Sequence, residues 1–162
     1  MIAALLLSLA VLSPSAQPEP DFSGVWVENE ALRQTTVKAD PSAKGMTLPS
    51  RPITVTQSAE TLDIQYEPPM PGLSARRYIY HLAGKESVNR NGANTQTTRS
   101  RWEGGTLVIE GTSYSETTAG EFLWKFRETR ALDAKGRMIV ETRMTDEAGQ
   151  TTVTRRTFDR KK

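Results

Sequence analysis

The sequence predicts an all-β protein, a single antiparallel up-and-down β-barrel of eight to nine strands with a minor helix after the first. Three observations carry this. Short alternating or β-branched runs recur between turn residues at near-regular spacing, which is the pattern of an antiparallel meander and not of βαβ units. No stretch of twelve residues has helical periodicity. One run, Asn94–Trp102, is polar on both faces, and a strand with no apolar face cannot lie between two dry layers. It must meet water at a rim or inside the fold, which favours a barrel with a partly wet interior over a packed sandwich.

The chain opens with an apolar and small-residue run, Ile2 to Leu12, followed by Ser13, Pro14, Ser15 and Ala16. This is the layout of a secretory signal peptide over residues 1–16, cleaved after Ala16, although no Lys or Arg precedes the run. The run is too short for a bilayer, which needs about 20 apolar residues. The expected localisation is therefore periplasmic or extracellular, with no stable membrane anchor after cleavage. Residues 17–22 read as a Pro-containing spacer and 23–162 as one barrel domain.

The first strand is Ser23–Glu28, and Asn29 to Arg33 has room for one helical turn before a long Pro-, Gly- and Ser-containing loop from Asp40 to Arg51. Eight further strands follow: Ile53–Gln57, Thr61–Tyr66, Arg76–Leu82, Asn94–Trp102, Thr106–Glu110, Phe122–Glu128, Arg137–Thr145 and Gln150–Phe158. Turn chemistry separates them at Ser58-Ala59-Glu60, Glu103-Gly104-Gly105, Asp133-Ala134-Lys135-Gly136 and Asp146–Gly149. Period-2 alternation places Phe122, Trp124 and Phe126 on the inner face of their strand, and Met138, Val140 and Met144 on that of the next.

Composition excludes several chemistries. The chain has no cysteine, which removes disulfides, thiolate metal sites and thiol nucleophiles together. Its 21 basic and 19 acidic side chains leave a net charge of only +2, and the short basic clusters do not make a nucleic-acid face, so no nucleic acid is expected as partner. His81 is the single histidine, without a nucleophile motif beside it, and reads as a rim residue. Carboxylate pairs such as Glu28 with Glu30, or Glu60 with Asp63, read as solvated faces. No catalytic residues, metal site or cofactor are expected, and the protein is read as a non-enzyme.

The segment Phe22-Ser23-Gly24-Val25-Trp26 opens the first strand with a Gly-x-Trp triplet, and Thr61-Leu62-Asp63-Ile64, Gly105-Thr106-Leu107-Val108-Ile109 and Val153–Phe158 continue the meander in order. In this the chain resembles the calycins, the superfamily of lipocalins and fatty-acid-binding proteins, and in particular signal-peptide-bearing lipocalin-like proteins of bacteria. The resemblance implies that Gly24 bends the first strand across the barrel base and that Trp26 plugs it. A late-strand arginine, Arg155 or Arg156, would be laid over the indole, a contact of roughly 0.5–2 kcal/mol. It also implies a carboxylate clamp of Arg-x-Tyr type on the last strand, where this chain has Arg156-Thr157-Phe158 and lacks the hydroxyl.

The functional expectation is a binding protein that holds a small amphipathic or lipid-like, and in one register anionic, ligand in the barrel. Its expected contacts are Tyr78, Tyr80, Phe122, Trp124 and Phe126, with Arg99 and Arg101 as cations if the pleat turns them inward. If it turns them outward, Thr98, Ser100 and Trp102 line the lumen and a neutral ligand or none is expected. The registers differ by one residue. The alternative is a solid-core structural or protein-interaction domain of the cell envelope. Ligand identity and oligomeric state are not legible.

Overall fold

The computed structural model describes residues 18–36, 51–68, 70, 72, 74–118 and 120–162. The leader at 1–16 and most of the expected loop from Asp40 to Arg51 lie outside the described residues. The strands are β1 Gly24–Glu28, β2 Gln34–Thr35, β3 Ile53–Gln57, β4 Thr61–Tyr66, β5 Arg76–His81, β6 Glu86–Asn91, β7 Asn94–Glu103, β8 Thr106–Thr117, β9 Gly120–Leu132, β10 Met138–Thr145 and β11 Thr151–Arg160. Among the described residues there is no α-helix; the segment after β1 makes one 3-10 turn, Glu30–Leu32. Arg33 anchors that turn by donating from Nε to the Glu28 carboxylate at 2.6 Å.

All pairings are antiparallel, and the sheet runs β5-β4-β3-β1-β11-β10-β9-β8-β7-β6, with β2 pairing on β11. Each strand on this path lies beside its neighbours in sequence, and β11 pairs with β1, so the sheet curls into a nearly closed barrel of ten strands. The expected eight to nine strands are too few. The two omitted strands are β2, which is two residues long, and β6, Glu-Ser-Val-Asn-Arg-Asn, whose only apolar side chain, Val88, is exposed. The Asn91-Gly92 pair, with Gly92 at φ 61°, is the turn signal that marks β6 as half of a hairpin with β7.

One end of the barrel is closed by packing. Phe22, Trp26, Leu107, Met138 and Phe158 are buried there, and Phe22 stacks on Trp102 with ring centroids 5.9 Å apart. The Trp26 indole N–H donates to the Phe22 carbonyl at 2.8 Å. Gln57 ties the entering chain to β3, accepting from the Phe22 N–H at 3.0 Å and donating to the Pro20 carbonyl at 3.0 Å. The guanidinium over the indole belongs to Arg160, 4.5 Å from the ring, and not to Arg155 or Arg156. Register explains the correction: Trp26 lies opposite Arg160 in the β1–β11 ladder, whereas Arg155 pairs with Gln34 and Glu141 further along. Gly24 has φ 135°, and a side chain there would lie against Arg160.

The wall is tightest at Gly111. A Cβ on this residue would sit 1.9 Å from the Thr97 carbonyl oxygen, so only glycine lets β7 and β8 approach there.

Candidate ligand site in the barrel lumen

The inner face of β9 continues its alternation past the aromatic residues to Glu128 and Arg130, which are 4% and 1% exposed. An arginine this deep needs a counter-charge, and Arg130 meets the Glu128 carboxylate with N–O distances of 2.6 Å. The other Glu128 oxygen accepts from the Thr142 hydroxyl at 3.2 Å. Burial opposes the Arg130 cation most strongly, but the charge of Glu128, the Tyr66 and Tyr80 phenols and the hydrogen bond to Glu128 together outweigh it and hold the guanidinium pKa above its ordinary value. Lumen positions 128 and 130 are thus a closed pair, neutral as a unit.

Above this pair, toward the end that carries the Tyr66–Arg76 pair and the turns at 92–93 and 146–150, lies a cavity of about 350 Å³. Tyr66, Tyr78, Tyr80, Phe126 and Met144 supply apolar surface, and Gln96, Ser113, Glu128, Thr142 and Arg156 supply polar groups. Arg76 and Asn94 stand at its lining as well. The tyrosines form a ladder: Tyr66 meets Tyr78 edge-on at 5.8 Å, and Tyr78 stacks on Tyr80 at 6.3 Å. The Tyr80 hydroxyl donates to Gln96 Oε1 at 2.9 Å. Burial, reinforced by the negative charge of Glu128, pushes the Tyr80 phenol well above its ordinary range, so it is a neutral donor at physiological pH.

Arg156 is the exception to this satisfied network. Its pleat position turns it inward beside Phe158, whose ring centroid is 5.8 Å from the guanidinium carbon. Its Nε is buried and has no hydrogen-bond partner. Buried donors are normally paired, so an orphaned guanidinium N–H beside a cavity is a feature that calls for a partner. Since Glu128 is already committed to Arg130 and Thr142, Arg156 leaves the cavity with an excess of positive charge.

The expected contacts divide. Tyr78, Tyr80 and Phe126 line the cavity; Trp124 is half-buried nearby, and Phe122, 39% exposed at the rim, stacks on it at 5.5 Å. Arg99 and Arg101 face outward. Arg99 approaches Glu86 at 3.5 Å, and Arg101 bonds Glu103 at 2.6 Å and pairs with Glu110, which also pairs with Arg127. They line an open groove of about 480 Å³ on the outer wall, where exposed and already paired cations offer little to a ligand. The pleat puts Gln96, Thr98 and Ser100 inside, with the Thr98 and Ser100 hydroxyls buried and without partners. The polar strand therefore does face the interior, but with its neutral side. His81 is half-buried on β5, paired with Thr61 of β4, and its backbone N–H donates to the Ser87 hydroxyl at 2.8 Å. No three His, Cys, Asp or Glu side chains converge to hold a metal among the described residues.

Sequence reasoning left Arg99 and Arg101 open between an inward and an outward register, of which the structure has the outward one, and it ended the strand at Glu128, before Arg130. The signal for the latter was present, because the period-2 row Phe122, Trp124, Phe126 continues to Glu128 and Arg130 without a break. Comparison with protein-family models, curated proteins and solved structures finds no match for this chain.

Proposed function

We propose that this protein is a binding module that holds a small amphipathic anion in its lumen, with Arg156 receiving the acidic group and the Tyr66–Tyr78–Tyr80 ladder, Phe126 and Met144 packing the apolar part. The observation that carries this reading is the buried, unpartnered Arg156 Nε beside an aromatic-lined cavity. The volume lies near the lower end of the roughly 300–1,000 Å³ range of ligand pockets, which suits a compact or medium-chain acid. A buried guanidinium N–H without a partner is costly, so the free protein is poised to gain from an anion that arrives with its own apolar surface. The signal-peptide-like layout of residues 1–16 supports placing this activity in the periplasm or outside the cell. On this reading the protein is a binding protein and not an enzyme.

Fluorescence titration with anilinonaphthalene sulfonate, a compact aromatic anion, and with a fluorescent fatty acid tests the proposal. Saturable one-to-one binding is expected, weakened at least tenfold, about 1.4 kcal/mol, in Arg156→Gln. Arg99→Gln with Arg101→Gln should leave affinity unchanged. Absence of saturable binding by the unmutated protein would leave the solid structural domain as the better reading.

A further inference from the structure

The barrel is closed at every junction by a backbone ladder except one. β5 and β6 are the two ends of the hydrogen-bonded path, and no backbone–backbone bond links them among the described residues. Side chains of β6 take the place of the missing strand. Asn89 accepts from the Ile79 N–H at 2.7 Å and donates to the Ile79 carbonyl at 3.1 Å. Asn91 does the same at Arg77, with both distances 3.0 Å, and the Ser87 hydroxyl accepts from the His81 N–H at 2.8 Å. Each asparagine amide thus imitates one peptide group of a ladder. The polar character of β6, which hid it in the sequence, is what this arrangement requires.

Three side chains hold this seam with five hydrogen bonds, at Arg77, Ile79 and His81, so it matches the spacing of a ladder and differs from it in that side chains, not peptide groups, make the bonds. A side-chain amide has rotamers to gain when it lets go, and it leaves by rotating, with no movement of its own strand. A peptide group cannot do this. Directly behind the seam, β5 presents Tyr78 and Tyr80 to the cavity, and the Tyr80–Gln96 hydrogen bond reaches from β5 past β6 to β7. The junction that side chains close, among the described residues, is therefore also a wall of the candidate ligand site.

We propose that the β5–β6 seam is the passage through which the lumen exchanges its ligand, with Asn89 and Asn91 as a releasable clasp. This rests on the lumen being a ligand site. Neither asparagine is among the residues lining the cavity, so the clasp governs the rate of passage and not the stability of the bound state. Loosening it speeds entry and exit together.

Stopped-flow fluorescence with anilinonaphthalene sulfonate on the full-length mature protein, combined with amide hydrogen exchange, tests this. The expected result for Asn89→Ala with Asn91→Ala is a rise of about tenfold in both association and dissociation rates with an equilibrium constant changed less than about twofold. In the unmutated protein the amides of Arg77, Ile79 and His81 exchange faster than those of Leu62 and Ile64. Ile109→Val, in a wall with continuous ladders, serves as the control for general destabilisation and leaves both rates unchanged. If the double variant does not fold, Asn91→Ser alone, at the exposed end of the clasp, gives a smaller rise in both rates. Unchanged rates in a folded clasp variant, or equal acceleration by Ile109→Val, overturn the seam as the passage while the ligand reading stands. No saturable binding of the probe removes the ligand reading and the passage with it.

Discussion

Three arginines of the barrel illustrate how position decides the fate of the same side chain. Arg160 spreads over the Trp26 indole at the base, Arg130 is locked to Glu128 midway, and Arg156 keeps an unpaired Nε beside the cavity. Trp26 is fully buried and donates to a backbone carbonyl as well as supporting Arg160, so Trp26→Ala empties a large site and orphans an acceptor. A loss of about 3–5 kcal/mol is expected in denaturant unfolding; a loss below about 1 kcal/mol would mean that the base is not held by this plug. The Glu128–Arg130 pair should show a marked asymmetry. Glu128→Leu alone strands a buried cation and should cost about 3–5 kcal/mol, whereas Glu128→Leu with Arg130→Met removes both charges and should recover most of that stability. Equal losses in the single and double variants would show that the pair, and not the stranded charge, sets the cost.

At the level of the strands, most boundaries were legible because alternation and turn chemistry agree. The turn at Asp133 is representative: its backbone N–H and carbonyl bond Arg137 and Gly136, and its carboxylate accepts from the Lys135 and Arg137 N–H groups, each at 2.9 Å. β6 escaped because alternation is a signal of burial against apolar neighbours, and the inward side chains of β6 are buried against the β5 backbone, where polarity is needed. The pairing of β7 with β8 yields a sharp expectation. Gly111→Ala must push its methyl group into the Thr97 carbonyl, so it should cost about 4 kcal/mol or more, or prevent folding, as judged by thermal unfolding. An ordinary glycine-to-alanine effect of about 1 kcal/mol or less would show that the two strands are not so close.

The molecule as a whole converts a row of tyrosines into a response to alkali. Burial raises the Tyr78 phenol and raises Tyr80 further, so the native state favours their neutral forms. A folded-state pKa above the unfolded value of 10.0 means that their contribution to stability is intact below that pH and is lost as pH rises toward the folded-state values. In a spectrophotometric titration, phenolate absorbance from these residues should therefore appear together with unfolding and lag behind that of a denatured control. Titration of all four tyrosines at the ordinary value in the folded protein would place the ladder in water instead of the lumen.

The sequence by itself determined the class of the fold, most of the strands, the turns between them and the identity of Trp26 as an anchor, because these depend on local periodicity and on residues that act within a few positions of themselves. It also required that the polar strand Asn94–Trp102 meet water at a rim or inside the fold. Only the tertiary structure decided which face of that strand turned inward, which arginine reached the indole, that Glu128 had satisfied Arg130 and left Arg156 alone, and that three side chains closed the barrel. Register and closure are set by pairings between residues distant in the chain, and a shift of one residue inverts every side chain without altering the pattern that is read along it.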